Sequence, residues 1–417
     1  MPAEFLRHMV ARVVGDPDNR AVAGAHGTVP LPLNLHLTLR GQGVSRTDSL
    51  DVLMHLLVIG HRRLRELYIV ASSPGPLVAF VDAVSPLTMP SLDTLAIIYK
   101  PMESSKKPKD QVFPVAFDIL DGRAPCLRRV ELRNCGLPVS PASHLPSLRE
   151  LSTVVGPFTP NDLSRLATMA SGLTHLTFVG QCPCVARGGF ASSLLHFPAL
   201  QNVRLCGTMN LPALFQQLEA PELLRMQIED WSIDDVEMLD QCIHTITSTA
   251  LGSATKFPGL RWLGLEVHAV WRTAPSIALE RLCRFIALFP TLEHITFSGN
   301  QVSAFLPILA SSAPLPALES ISLFGAHDRR FLNEVAAFAK KRMDARRALR
   351  EVGLSVLATA SEQWHLLPLA LCKILKVYSY GTSMAGVIYP DDRTWMHSTY
   401  EREGLLTTEY LHWRSRA

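Results

Sequence analysis

The chain has 417 residues, 47% of them hydrophobic and 18% charged, with a mean hydropathy of +0.16. That composition suits two or three domains or one elongated repeat array, and it excludes both a single module of about 150 residues and global disorder. Forty Lys and Arg against 37 Asp and Glu leave a formal charge of +3, too little for a dedicated nucleic-acid binder unless the cations cluster.

Residues 1–29 read as an N-terminal extension or cap, and Pro30 opens a solenoid that runs to about residue 380. Along that span a Leu-x-x-Leu-x-Leu phrase recurs in eleven copies, beginning at Leu64, Leu92, Leu127, Leu148, Leu173, Leu200, Leu223, Leu260, Leu292, Leu318 and Leu349. Successive copies start 21–37 residues apart. Eight are preceded by proline two residues earlier (Pro90, Pro125, Pro146, Pro198, Pro221, Pro258, Pro290 and Pro316), which stops any preceding helix and predicts an extended approach to a strand.

Between the phrases, apolar residues return at helical spacing: Leu50-Leu53-Met54-Leu57, Leu163-Leu166-Met169, Val236-Leu239-Ile243-Ile246 and Leu279-Leu282-Phe285-Ile286. Thr159-Pro160-Asn161-Asp162 and Ser232-Ile233-Asp234-Asp235 supply helix starts. Lys100–Asp110 reads as a polar loop and residues 381–417 as a capping tail, with Trp395 or Trp413 over the last repeat. Each unit is therefore strand, turn, helix, and one such unit cannot cover its own apolar face, so neighbours must stack. An α/β fold with a concave parallel sheet and convex helices is expected.

Leu127-Arg128-Arg129-Val130-Glu131-Leu132-Arg133-Asn134-Cys135-Gly136-Leu137 resembles the leucine-rich-repeat phrase L-x-x-L-x-L-x-x-N/C-x-L, with Cys135 in the N/C place and Asn134 one position early. Over about residues 61–357 the chain resembles leucine-rich-repeat proteins in the irregular form of fungal F-box proteins, and Pro30–Leu37 followed by Asp48–Leu53 looks like the entry that follows the F-box there. The resemblance implies a horseshoe and a role like the substrate-recognition part of a ubiquitin-ligase receptor. Only Pro2, Glu4 and Leu6 resemble the opening of an F-box, so no Skp1-type adaptor contact is expected of this chain.

Motifs for chemistry are sparse. Cys182-Pro183-Cys184 lacks the spacing and the second pair of a metal knuckle, and Gly41-Gln42-Gly43 lacks the third glycine of a dinucleotide loop. Fifteen histidines include no H-E-x-x-H; His175 and His294 occupy equivalent repeat positions. No catalytic residue, cofactor or metal site is expected. Eight cysteines are too few for a disulfide scaffold, no Asn begins an Asn-x-Ser/Thr acceptor and no segment approaches 18 uncharged apolar residues. A cytoplasmic or nuclear protein that does not span a membrane is the expectation.

The alternate strand positions face away from the core and carry the candidate partner surface. They include Glu66 and Tyr68; Arg129, Glu131 and Arg133; His175 and Thr177; Asn202 and Arg204; Arg225, Gln227 and Glu229; Trp262 and Glu266; His294, Thr296 and Ser298; and Ser320, Ser322 and Phe324. Arg129, Glu131, Arg133, Arg204, Arg225, Glu229, Trp262 and Glu266 are the predicted partner-binding residues, with an unknown protein as partner. Arg204, Arg225 and Trp262 should then be replaceable by Ala without loss of folding. A second reading places a structural or nucleic-acid contact on His327–Arg350, where eight Lys and Arg meet three acids and Leu332, Val335, Ala339 and Met343 share a helical face. A degenerate enzyme on the repeat loops is the third.

Overall fold

In the computed structural model of the protein, each Pro-x-Leu phrase closes a tight turn. The residue before proline accepts a hydrogen bond from the backbone N–H of the leucine three positions on, at 3.1–3.3 Å in all eight copies, as in Leu92 to Met89 and Leu260 to Phe257. Proline therefore sits at the second position of a β-turn, where its fixed φ is useful and its missing N–H costs nothing. This corrects the expected extended approach. The accepting residues are themselves buried (Met89, Ala124, Leu145, Phe197, Ala220, Phe257, Phe289, Leu315), so the true phrase is one apolar position longer than the sequence pattern suggested.

The structure describes residues 32–39, 60–84, 86–100, 123–135, 145–154, 160–179, 194–206, 210–232, 236–248, 256–268, 275–299, 302–312, 315–324, 329–355 and 375–378. The helix predicted at Leu50–Leu57, the Cys182–Cys184 turn, most of the Lys100–Asp110 loop and both terminal caps lie outside them.

The chain divides into two compact units, Met1–Leu223 and Leu224–Ala417. In the first, β1 (Leu33–Leu39), β2 (Leu64–Ala71), β3 (Thr94–Tyr99), β4 (Arg129–Arg133), β5 (Glu150–Val154), β6 (His175–Val179) and β8 (Asn202–Cys206) pair in that order, all parallel. A two-residue strand β7 (Leu195–His196) pairs β9 (Leu218–Glu219). Its described α-helices are α1 (Pro74–Val84), α2 (Pro160–Met169) and α3 (Leu211–Gln217). In the second unit β10 (Arg225–Ser232), β11 (Trp262–His268), β12 (His294–Gly299), β13 (Ser320–Phe324), β14 (Glu351–Ser355) and β15 (Leu375–Tyr378) form a parallel series. Between them run α4 (Val236–Ser248), α5 (Pro275–Ala287), α6 (Val302–Ser312) and α7 (Arg329–Asp344), each packed on the next. No described helix is long and apolar enough to cross a membrane.

Register follows the repeat. Leu67, Leu95, Val130, Leu151, Leu176 and Val203 stand opposite one another in the first unit, and Met226, Leu263, Ile295, Ile321, Val352 and Leu375 in the second. These rows are the core: Leu67, Leu95, Leu263 and Ile295 are fully buried. Helices cover this side, since Phe297 of β12 stacks on Phe305 of α6 at 4.1 Å and Trp231 of β10 meets Phe285 of α5 edge-on at 5.2 Å. Such dense apolar rows are what makes period-2 alternation strand-forming here, because each inward side chain loses most of its water contact.

Local signals set several ends. Helix α2 starts at Pro160, as the Thr159-Pro160 box predicts. Asn210 caps α3 by accepting the Ala213 N–H at 3.2 Å. Asn134 ends β4 with a left-handed φ of 54°, a conformation Asn tolerates, and its Nδ2 donates to the Tyr99 carbonyl at 2.8 Å. Cys135 is buried beside it, so Asn134 and Cys135 divide between them the polar and apolar duties of that repeat position.

Candidate partner-binding face

The alternate strand residues line the face opposite the apolar rows, and the backbone holds them in three parallel lines. In the second unit the middle line, Gln227, Gly264, Thr296, Ser322 and Gly353, is buried. In the first, Ala96, Glu131 and Thr177 are buried while Tyr68, Ser152 and Arg204 are half-buried. Much of the middle line of the predicted partner face is therefore shielded from solvent.

Within Met1–Leu223 the predicted anchors are paired with their own neighbours. Arg129 donates Nε and Nη2 to the two carboxylate oxygens of Glu150 on the adjacent strand, at 2.6 and 3.1 Å. Burial pulls the Arg129 guanidinium down, but the Glu150 hydrogen bond and charge, with Asp93 and Glu131, outweigh it and the net shift is upward. Arg133 donates to Glu131 of the same strand at 2.9 Å. Both pairs are largely shielded, and the Arg129–Glu150 pair is bidentate, the kind that fixes side-chain position. His175 joins Thr174 Oγ1 through Nδ1 at 2.9 Å and Asn202 Nδ2 through Nε2 at 2.8 Å, an arrangement that satisfies the neutral ring with its proton on Nδ1. The buried Thr177 hydroxyl has no hydrogen-bond partner among the described residues, and Arg204 is half-buried on the neighbouring strand.

Within Leu224–Ala417, Gln227 donates to Glu229 at 2.6 Å and both are buried, whereas Arg225 and Glu266 are half-buried. Trp262 is only 7% exposed. Its six-membered ring lies against Gly264, where any Cβ would collide with it, and the indole stacks on His294 with centroids 6.2 Å apart. His294 contacts Ser320 through Nδ1 and Thr296 through Nε2. Trp262 is therefore a packed element of the sheet and not a protruding anchor, and the expectation that its alanine variant leaves the fold untouched is corrected. Glycine at 264 was the signal for this in the sequence, since a missing side chain in a strand marks a close approach.

The basic stretch also differs from expectation. Met343 is 53% exposed, and Arg342 takes the inward place in α7. Its guanidinium donates to the carbonyls of Leu318 at 2.8 Å, Arg347 at 3.1 Å and Leu315 at 3.2 Å, tying the end of α7 to the turn before β13. Burial, and then the neighbouring Arg347, lower its pKa. Lys341 donates to Ala310 at 2.7 Å. Two of the cations counted as a binding surface thus serve packing. Among the described residues no three His, Cys, Asp or Glu side chains are grouped to hold a metal. Neither a known protein family nor a curated protein matches the chain.

Proposed function

We propose that the chain is a leucine-rich-repeat horseshoe, with a concave parallel sheet and convex helices, acting in the cytoplasm or nucleus as a non-enzymatic protein-binding scaffold. Its role is similar to the substrate-recognition part of an F-box ubiquitin-ligase receptor. The observation that supports this most is the register: the same phrase position recurs opposite itself on strand after strand, so the polar face carries a fixed series of chemically varied side chains on a rigid backbone. The pre-paired residues Arg129–Glu150, Arg133–Glu131 and Gln227–Glu229 supply oriented charge without further ordering cost, while Arg204 in the first unit and Arg225 and Glu266 in the second supply contacts.

The test is quantitative affinity purification with the wild-type chain, an Arg204→Glu variant and an Arg225→Glu/Glu266→Lys variant, each checked for an unchanged melting transition. Proteins captured by the wild type should be lost from at least one variant; identical capture by all three sinks the reading. A Skp1-type adaptor should not co-purify with this chain, and a stable one-to-one complex would reverse that part.

A further inference from the structure

The edge where the chain enters each strand has its own regularity. In most repeats the residue after the phrase's first leucine uses its carbonyl to accept two backbone N–H groups from the next repeat: Asp93 receives Arg128 and Arg129, Arg128 receives Arg149 and Glu150, Leu224 receives Arg261 and Trp262, and Glu293 receives Glu319 and Ser320, while Arg65 receives Asp93. This pins one side chain per repeat along the edge at strand spacing, about 4.8 Å.

In the first unit the edge is basic. Arg65, Arg128 and Arg149 occupy it with Asp93, and the preceding turns add Arg62, Arg63 and Arg123. Around Asp93 the edge opens into a cleft of about 500 Å³ lined, among the described residues, by Arg62, Arg63, Arg65 and Arg128 with Pro32, Pro90, Ser91, Cys126 and Ser147. Arg62, Arg65 and Arg128 are exposed. The guanidinium groups of Arg62 and Arg65 make no ion pair among the described residues, and Arg128 reaches Asp93 at 3.7 Å with its side chain 71% exposed. Among the described residues, Arg62, Arg65 and Arg128 against Asp93 leave a net positive charge in a concave setting that concentrates its field.

Arg65 and Arg128 are two strands apart, on the order of 10 Å, with the Asp93 carboxylate between them. That spacing disfavours a single compact anion and fits two separated carboxylates. Acidic residues three positions apart on one side of a polyproline II segment are about 9 Å apart. Prolines and serines in the lining suit peptide packing, and the described lining has no aromatic ring on which a nucleobase would stack. We infer that this cleft docks an acidic, extended segment of a protein partner, with carboxylates on Arg62/Arg65 at one end and Arg128 at the other. It uses none of the residues assigned to the polar face, so the two readings stand or fall separately.

The probe is a fluorescein-labelled dodecapeptide repeating Glu-Pro-Ala, with the Gln-Pro-Ala peptide and a thymidine oligonucleotide of equal charge as comparisons. The Glu peptide should bind at low salt, weaken as salt rises, and slow alkylation of the exposed Cys126 in the cleft. Arg62→Ala/Arg65→Ala/Arg128→Ala should weaken it about tenfold or more, and Arg261→Ala/Arg350→Ala in the second unit should leave it unchanged. All five positions are exposed, so folding is expected to persist and is read from the melting transition. Equal affinity of the triple variant, equal binding of the Gln peptide, or tighter binding of the oligonucleotide overturns the proposal.

Discussion

The strand-entry edges of the two units share a backbone and differ in charge. In Leu224–Ala417 the pinned side chains are Arg261, Glu293, Glu319 and Arg350, and they neutralise one another: Arg261 meets Glu293 at 3.6 Å and Arg350 meets Glu319 at 2.9 Å. In Met1–Leu223 the same edge carries arginines with a single intervening acid. The same carbonyl pattern recurs beneath both edges, so the backbone does not dictate the charge difference. One edge is electrostatically closed and the other is left open, which is where a charged partner has something to gain.

The comparison breaks first if the two skeletons are not equivalent. Leu95→Ala in the first unit and Leu263→Ala in the second remove side chains from matching core rows, and each should cost about 2–5 kcal/mol in denaturant unfolding through the cavity left behind. A loss confined to one unit would show that the rows are not built alike. Next in size is Arg342→Met, which removes three hydrogen bonds that join the end of α7 to the turn before β13 and should cost about 2–3 kcal/mol by the same measurement, whereas loss within about 0.5 kcal/mol would return Arg342 to the solvated surface. Gly264→Ala drives a methyl into the Trp262 ring and should cost about 1–3 kcal/mol with a change in tryptophan emission; an unchanged spectrum would mean that the indole does not rest there.

Two smaller effects sharpen the contrast. Glu293→Gln/Glu319→Gln should alter stability by no more than about 1 kcal/mol, because these pairs are exposed, yet give the second unit affinity for the Glu-Pro-Ala peptide that it otherwise lacks. No gain in binding would separate the edge charge from the docking. Burial pushes the Cys135 and Cys283 thiols up to about 12 from an ordinary 9.0. Near neutral pH both are protonated whether folded or unfolded and contribute no pH dependence. Above pH 9 the unfolded chain releases these protons first, so stability should fall between pH 9 and 12, and peptide-level alkylation at pH 8 should mark Cys126 well before either. A Cys→Ala change at 135 and 283 should flatten that alkaline decline.

Much of the architecture was written in the order of residues. Leu, Val and Ile at the first, fourth and sixth phrase positions must be buried wherever strands form, so their repetition dictated parallel strands in a common register, and the helix starting at Pro160 followed from local capping. Even β15, which the eleven phrases omit, continues the rows with Leu375 and Val377. The proline turns were half legible: the sequence showed that a helix had to stop there, but the buried residue ahead of each proline carries no period of its own.

The candidate surface was a matter for the tertiary structure. Period-2 alternation sends Arg129, Glu131 and Trp262 to one face but says nothing of what stands beside them across the sheet. Register put Glu150 next to Arg129, the gap at Gly264 received the Trp262 ring, and the turn before β13 drew Arg342 inward to collect carbonyls. A side chain's direction is a local property set by the backbone, whereas its availability depends on neighbours 20 or more residues away in the chain. Sequence alone could therefore name the face, and only the assembled repeats decided which of its charges are spent on one another and that Arg62, Arg65 and Arg128, on the strand-entry edge, stay exposed.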